Sequence, residues 1–357
     1  MNTRAERLSV ALEQAGASLM LVTNLFNVRY LTGFTGSNGL ALIGPDMKVF
    51  ITDFRYTEQA EQEIYPEFER ITCKADLFSE AAGLLSGAPV RLGFEAEHTS
   101  VASYQRMQEL FEQDVKLTAL SGLVEELRAV KDAQEIELIA AAAAVADAAF
   151  EALLADGITG RTERELAVAL EHQMRLRGAS GPSFDSIIAA GSHGALPHAQ
   201  PRDVPVEPGQ LVVIDWGACV NGYCSDCTRT VAAGEPGPEA REVYELVLGA
   251  QQIGLEELRA GGDCRQIDKT VRDIIYGAGH EGHYGHGLGH GVGLEIHEAP
   301  TLSFRCGGEL SAGNVVTCEP GVYIPGRLGV RIEDLTVVEE NGVSVLTKLP
   351  KALRIVD

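Results

Sequence analysis

The stretch Leu211–Val231, LVVIDWGACVNGYCSDCTRTV, decides how the second half of this 357-residue chain folds. Two apolar runs flank Asn221-Gly222, the dipeptide best suited to a two-residue type I′ turn, in which both central residues take positive φ. A turn that tight sets Val220 opposite Tyr223, Cys219 opposite Cys224 and Gly217 opposite Asp226. Side chains alternate along a strand, so residues 215 and 217 share a face. Asp215 and Asp226 therefore lie diagonally on one face of one hairpin, about 7–8 Å apart at the backbone. Two carboxylates so placed can lean inward onto divalent ions about 3.5–4 Å apart. Either acid alone reads more simply as a hairpin residue facing water, but an Asp inside the run VVIDW is hard to place on a surface.

Downstream lies HYGHGLGHGVGLEIHEAP, residues 283–300. Its glycines allow close backbone approach, and His286, His290 and His297 offer neutral ligands or acid–base groups near pH 7. A single histidine in an apolar stretch is more often structural, but this density reverses that reading. Seven of the nine histidines fall between His193 and His297, so the chemistry is expected in the second half. VVTCEPGVYIP then puts Glu319 at the end of an apolar strand before a Pro-Gly turn, and GVRIEDLTVV puts Arg331 and Glu333 on one face of a further strand. A strand ion pair explains that last pair equally well in isolation. Together, two Asp, two Glu and one His are mostly hard oxygen donors, a set that suits Mn²⁺, with Co²⁺ or Zn²⁺ as substitutes.

The rest of the chain supplies the frame. Residues 1–122 alternate short apolar strands (SLMLVT, GLALIG, KVFITD, VRLGF) with helices near 55–63, 76–86 and 99–112, a small α/β domain. Residues 123–357 form the second domain. It opens on an Ala-rich helix from Asp132 to about Asp156, continues with a helix after Thr162, and turns to strands, glycine and histidine beyond Pro182. The net charge of −22 argues against nucleic acid and anionic membranes as partners. No continuous apolar run is long enough to span a bilayer, and the first residues read as an amphipathic helix rather than a secretory leader. Seven cysteines without framework spacing fit a reducing, cytoplasmic setting. Cys224 and Cys227 sit on opposite faces of a strand, so their C-x-x-C spacing carries no zinc or redox meaning.

At these residues the chain closely resembles the pita-bread metallopeptidases, and within them the aminopeptidase P and prolidase group. The resemblance implies an α/β (α+β) fold: a small N-terminal α/β domain, then a curved, mainly antiparallel catalytic sheet covered by helices. The family's metal ligands match Asp215, Asp226, His290, Glu319 and Glu333, with Asp226 and Glu333 bridging the ions. Its catalytic groups match His198 in ALPHAQP, His297 and Glu319, and its further active-site residues match His286 and Arg331. NVRYLTGFTGS and ITDFRYTEQA look like the non-catalytic domain that precedes the catalytic one in this group, so the likeness covers essentially the whole chain.

That resemblance implies a homodimeric enzyme with two divalent metal ions per chain that hydrolyses short proline-containing peptides. It puts the Xaa-Pro aminopeptidase (aminopeptidase P) reading first and the Xaa-Pro dipeptidase (prolidase) reading second. A methionine aminopeptidase lacks a comparable N-terminal domain and carries Gln where this chain has Arg331. Creatinase-like enzymes and pita-bread binding proteins do without the metal ligands that are intact here.

Overall fold

The computed structural model describes residues 3–87 and 89–357, and the chain divides into two compact units, Met1–Arg128 and Ala129–Asp357. The first unit is a six-stranded mixed sheet. Its strands are β1 (Leu19–Val22), β2 (Gly39–Gly44), β3 (Met47–Thr52), β4 (Glu69–Thr72), β5 (Val90–Glu95) and β6 (Val115–Leu120), in the order β4-β3-β2-β1-β5-β6. β2 pairs antiparallel with β1 and β3, while β3–β4, β1–β5 and β5–β6 are parallel. β1 and β2 are buried throughout, which is why they read as unbroken apolar runs. The edge strands β4 and β6 carry Glu69, Arg70 and Lys116 at exposed positions, so their sequences do not stand out.

Helices Thr57–Glu63, Leu77–Leu84 and Val101–Leu110 form where the sequence predicts them. Asp76 and Ser100 cap the last two by accepting from the backbone N–H groups of Ser79 and Ser103. Helix Leu123–Ala129 belongs to this unit as far as Arg128. Tyr30 Oη donates to the Leu127 carbonyl (3.0 Å) and Arg128 Nη1 donates to Asn27 Oδ1 (2.8 Å). These bonds tie residues 127 and 128 to the helix that carries Asn27 and Tyr30.

The second unit is a pita-bread arrangement of mainly antiparallel strands backed by two pairs of helices. Helix Ala133–Ala155 starts at Asp132 with a capping box to Glu135. By length and composition alone it matches a bilayer-crossing helix. It is a core helix: Phe150 stacks on Trp216 with ring centroids 4.4 Å apart, and Trp216 Nε1 donates to the Ala146 carbonyl. Helix Glu163–Leu176 packs beside it over strand Leu211–Trp216. Helices Pro238–Glu257 and Cys264–Ile275 cover strands Val315–Cys318 and Leu328–Arg331 in the same way.

Two interrupted hairpins bring the chemistry together. In the first, one register runs from Leu211 opposite Ala232 to Val220 opposite Tyr223. Asn221 (φ 46°) and Gly222 (φ 74°) close it with the positive φ pair that a type I′ turn needs. The ladder breaks at Gly217 and Ser225–Asp226. A Cβ at Gly217 would lie 1.9 Å from the Ser225 carbonyl oxygen, so only glycine fits there. In the second hairpin, Cys318 faces Asp334 and Gly321 faces Arg331 in a single register, broken at Glu319-Pro320 and Ile332-Glu333. Arg331 and Glu333 are therefore not neighbours on one continuous strand: Arg331 ends Leu328–Arg331, and Glu333 sits in the break before Asp334–Glu339.

Candidate active site

The breaks in the two hairpins meet. Glu333 N donates to the Thr228 carbonyl (3.1 Å), and Thr230 Oγ1 donates to the Arg331 carbonyl (2.9 Å) while accepting from Arg331 N (3.1 Å). These cross-links draw Asp215, Asp226 and Glu333 into one buried cluster with a ligand atom of each within 4.8 Å of the others. His290 extends the cluster, its Nε2 lying 3.5 Å from Asp226 Oδ2 and 3.4 Å from Glu319 Oε1. His290 Nδ1 donates to the Gly291 carbonyl (3.0 Å), which leaves the Nε2 lone pair aimed at the two carboxylates. Asp226 thus lies in both groupings, between Asp215 and Glu333 on one side and His290 and Glu319 on the other.

Burial, and after it the neighbouring acids, raise Asp226 and Glu333 well above the carboxylate range. Burial raises Glu319 to about 8, against the opposing charge of Arg331. The same dehydration lowers His290 and His297, and brings His286 down to about 3. Neutral imidazoles among crowded carboxylates are suited to accepting a cation. Two further observations support that fit: Asp215 Oδ1 and Glu333 Oε1 are buried and, among the described residues, have no hydrogen-bond partner. An unpaired buried carboxylate oxygen is costly unless something positive meets it.

Arg331 binds this cluster from behind. Its Nη2 donates to Asp215 Oδ2 (2.5 Å), Nε to Thr228 Oγ1 (3.0 Å), and Nη1 to Tyr323 Oη (2.9 Å) and the Pro197 carbonyl (3.2 Å). The guanidinium therefore reaches Glu333 only through Thr228, whose hydroxyl donates on to Glu333 Oε2 (2.7 Å). Tyr323 Oη in turn donates to His286 Nε2 (2.9 Å), and His286 Nδ1 donates to the Gly287 carbonyl (2.7 Å). Thr317 plays the matching part opposite, accepting from His290 N (3.0 Å) and donating to Glu319 Oε1 (3.2 Å).

His297 lies against His290, ring centroids 4.4 Å apart and near-perpendicular. His198 stands apart from the buried cluster on an exposed turn, within electrostatic range of His286 and His297. Cys219 and Cys224 face each other in the register and are not joined by a disulfide. Thr228, Thr317 and Tyr323 join the hydrogen-bond network of the cluster although the motifs do not announce them. Thr228 was within reach, because the Asn-Gly register that places Asp226 also puts Thr228 directly opposite Asp215. Thr317 and Tyr323 carry no comparable signal.

Residues 137–340 match the model of metallopeptidase family M24, and residues 4–130 match the creatinase/prolidase N-terminal domain. Among solved structures, the chain is similar to an Xaa-Pro dipeptidase from Bacillus anthracis (42% identity, TM-score 0.95, 99% of each chain). It is also similar to an X-Pro aminopeptidase from Thermotoga maritima (38% identity, TM-score 0.90, covering 97% of this chain and 100% of that one). A curated Xaa-Pro dipeptidase of Pyrococcus furiosus is 36% identical over 357 residues, 99% of this chain and 100% of its own length.

Proposed function

Because this chain belongs to metallopeptidase family M24, we propose that it is an Xaa-Pro dipeptidase acting on dipeptides whose second residue is proline. The observation that carries a hydrolytic centre is the buried Asp215–Asp226–Glu333 cluster with His290 and Glu319 beside it. The preference for dipeptides over longer chains is supported by relatives that bear the dipeptidase name along nearly their whole length. The resemblance put the aminopeptidase first, but the motifs that carry it describe metal ligands that both activities use and not the far side of the substrate pocket.

Asp215, Asp226 and Glu333 would hold one divalent ion, and Asp226, Glu333, His290 and Glu319 a second, with Mn²⁺ the proposed metal. Bound there, divalent ions activate water near neutral pH and polarise a carbonyl. The chain's own residues do the remainder. Glu319 accepts the proton of the attacking water and returns it to the prolyl nitrogen as the C–N bond breaks. His297 and His198 hydrogen-bond the substrate and the oxyanion that develops on its carbonyl, an interaction worth roughly 10²–10³ in rate per donor. Arg331 holds Asp215 and, through Thr228, Glu333 in place. A prolyl nitrogen carries no N–H, so this substrate is recognised by ring shape and not by an amide donor.

Hydrolysis of an Xaa-Pro dipeptide compared with an Xaa-Pro-Yaa tripeptide, at equal concentration and saturating Mn²⁺, tests the reading. A dipeptidase cleaves the first and leaves the second almost untouched. Faster cleavage of the tripeptide would place this chain with the aminopeptidases.

A further inference from the structure

Glu163 opens helix Glu163–Leu176, is 0% exposed, and bonds to Ala190, His193 and Arg202, all outside the carboxylate cluster described above. Its carboxylate collects donors from both ends of the segment that carries His198. Oε1 accepts from Ala190 N (2.9 Å) and from Arg202 Nη2 (2.9 Å). Oε2 accepts from Arg202 N (2.9 Å) and Arg202 Nε (3.0 Å). His193 Nδ1 lies 3.0 Å from both oxygens. Burial pushes this carboxyl up, but Arg202 and the two backbone N–H groups outweigh it and hold it below its ordinary value. A charged, fully enclosed carboxylate thus staples residue 190, at the end of strand Ile187–Ala190, to residue 202.

The chain between those two points has one short 3₁₀ turn, Gly191–Ala195, and no strand to fix it. It rests on the active-site frame at three places. Gly194 packs so closely on Gly329 that a Cβ at Gly329 would lie 1.8 Å from the Gly194 carbonyl oxygen. Arg331 Nη1 donates to the Pro197 carbonyl (3.2 Å), and Ala199 is buried against Ile187 and Ala189. His198 projects between the last two supports, exposed and with no secondary structure of its own. An exposed imidazole on a turn is precisely oriented only if the turn is closed at its ends, and Glu163 provides that closure.

We propose that Glu163 is the positioning residue for His198, clamping the 190–202 segment so that the imidazole is held at the rim of the metal cluster. The inference rests on the reading of His198 as a group that hydrogen-bonds the substrate. A displacement of about 1 Å in such a group costs about 10²-fold in rate, so loss of the clamp has a kinetic signature. Glutamine at position 163 keeps the volume but turns an amide N–H₂ towards Arg202 and the backbone N–H groups, opposing donor to donor.

The test is a double-mutant cycle with Glu163→Gln and His198→Ala, read as kcat/KM on an Xaa-Pro dipeptide with bound metal measured in each protein. Glu163→Gln should lower kcat/KM by about 10²-fold with metal content at the wild-type level. In the His198→Ala background the same substitution should have no effect beyond about twofold, because the positioned group is already gone. Equal losses in both backgrounds would overturn the clamp and leave Glu163 a general packing residue. Wild-type activity in His198→Ala alone would instead remove the premise about His198. Should Glu163→Gln fail to fold, Arg202→Lys replaces it in the same cycle, since it keeps the charge and removes the planar fork that holds both oxygens.

Discussion

Glu319 and Glu333 stand opposite each other in one antiparallel register, at the point where the ladder between Cys318–Asp334 and Gly321–Arg331 is interrupted. An intact ladder would direct both backbones into pairing, whereas the break frees the two carboxylates to converge on Asp226. The first hairpin repeats the device at Gly217 and Asp226, so three of the four clustered acids belong to strand breaks or their margins. The metal-binding geometry is a property of where the sheet fails to pair.

Metal removal is the most direct consequence. Exhaustive chelation should abolish hydrolysis, and Mn²⁺ or Co²⁺ should restore it, because the chain's own acids supply no nucleophile without a cation. Activity assays on dialysed protein, with metal quantified in parallel, check this. Undiminished activity at undetectable metal would falsify the mechanism.

Metal affinity should depend on pH with a defined sign. Burial, then the neighbouring acids, raise Asp226 and Glu333, and burial raises Glu319 to about 8 from 4.5. Cations bind the ionised forms, so binding releases protons and apparent affinity rises with pH up to about 8. Burial lowers His290, which favours the neutral, cation-accepting form of its ring. The raised Glu319 carboxyl contributes stability to the ion-free fold that is full below its ordinary value and is lost as pH climbs through about 8, and the raised Asp226 and Glu333 act in the same direction. The difference in melting temperature with and without Mn²⁺ should therefore widen between about pH 5.5 and 8. A difference that stays constant or shrinks would be incompatible with carboxylates that must shed protons.

His297→Ala should cut turnover by about 10²–10³-fold while metal content stays near wild type, since the imidazole lies against His290 without joining the carboxylate cluster. Steady-state kinetics and metal analysis on the same preparation separate the outcomes. Loss of bound metal would make His297 a ligand.

Arg331→Lys keeps the charge but cannot reach Asp215, Thr228, Tyr323 and Pro197 together. We expect folded protein whose Mn²⁺ requirement is shifted upward by about 10–100-fold. Activity titrated against Mn²⁺ in both proteins gives the shift. Superimposable curves would show that the fork has no bearing on the metal ligands.

Gly217→Ala forces a Cβ into the Ser225 backbone, 1.9 Å from its carbonyl oxygen. The adjoining segment must move, and overpacking of this kind typically costs about 1–3 kcal/mol. Because Asp226 follows Ser225, metal affinity should fall along with stability. Denaturant unfolding combined with Mn²⁺ titration measures both. A variant with unchanged midpoint and unchanged affinity would mean that the break tolerates a side chain.

Much of this protein is local and so is legible along the chain. A two-residue turn and a period of two suffice to place Asp215 and Asp226 on one face, because hairpin register is set by the turn and propagates without reference to the rest of the molecule. The buried strands β1 and β2 and the capped helices are local in the same sense. The tertiary structure alone decided which acid Arg331 serves. Spacing favoured Glu333, two residues away, yet the guanidinium pairs with Asp215 and reaches Glu333 through Thr228. It likewise decided that Glu163 encloses the His198 segment from a separate helix. Such contacts join residues far apart in sequence, and their partners are chosen by how whole strands and helices pack, a non-local free energy that no short motif records.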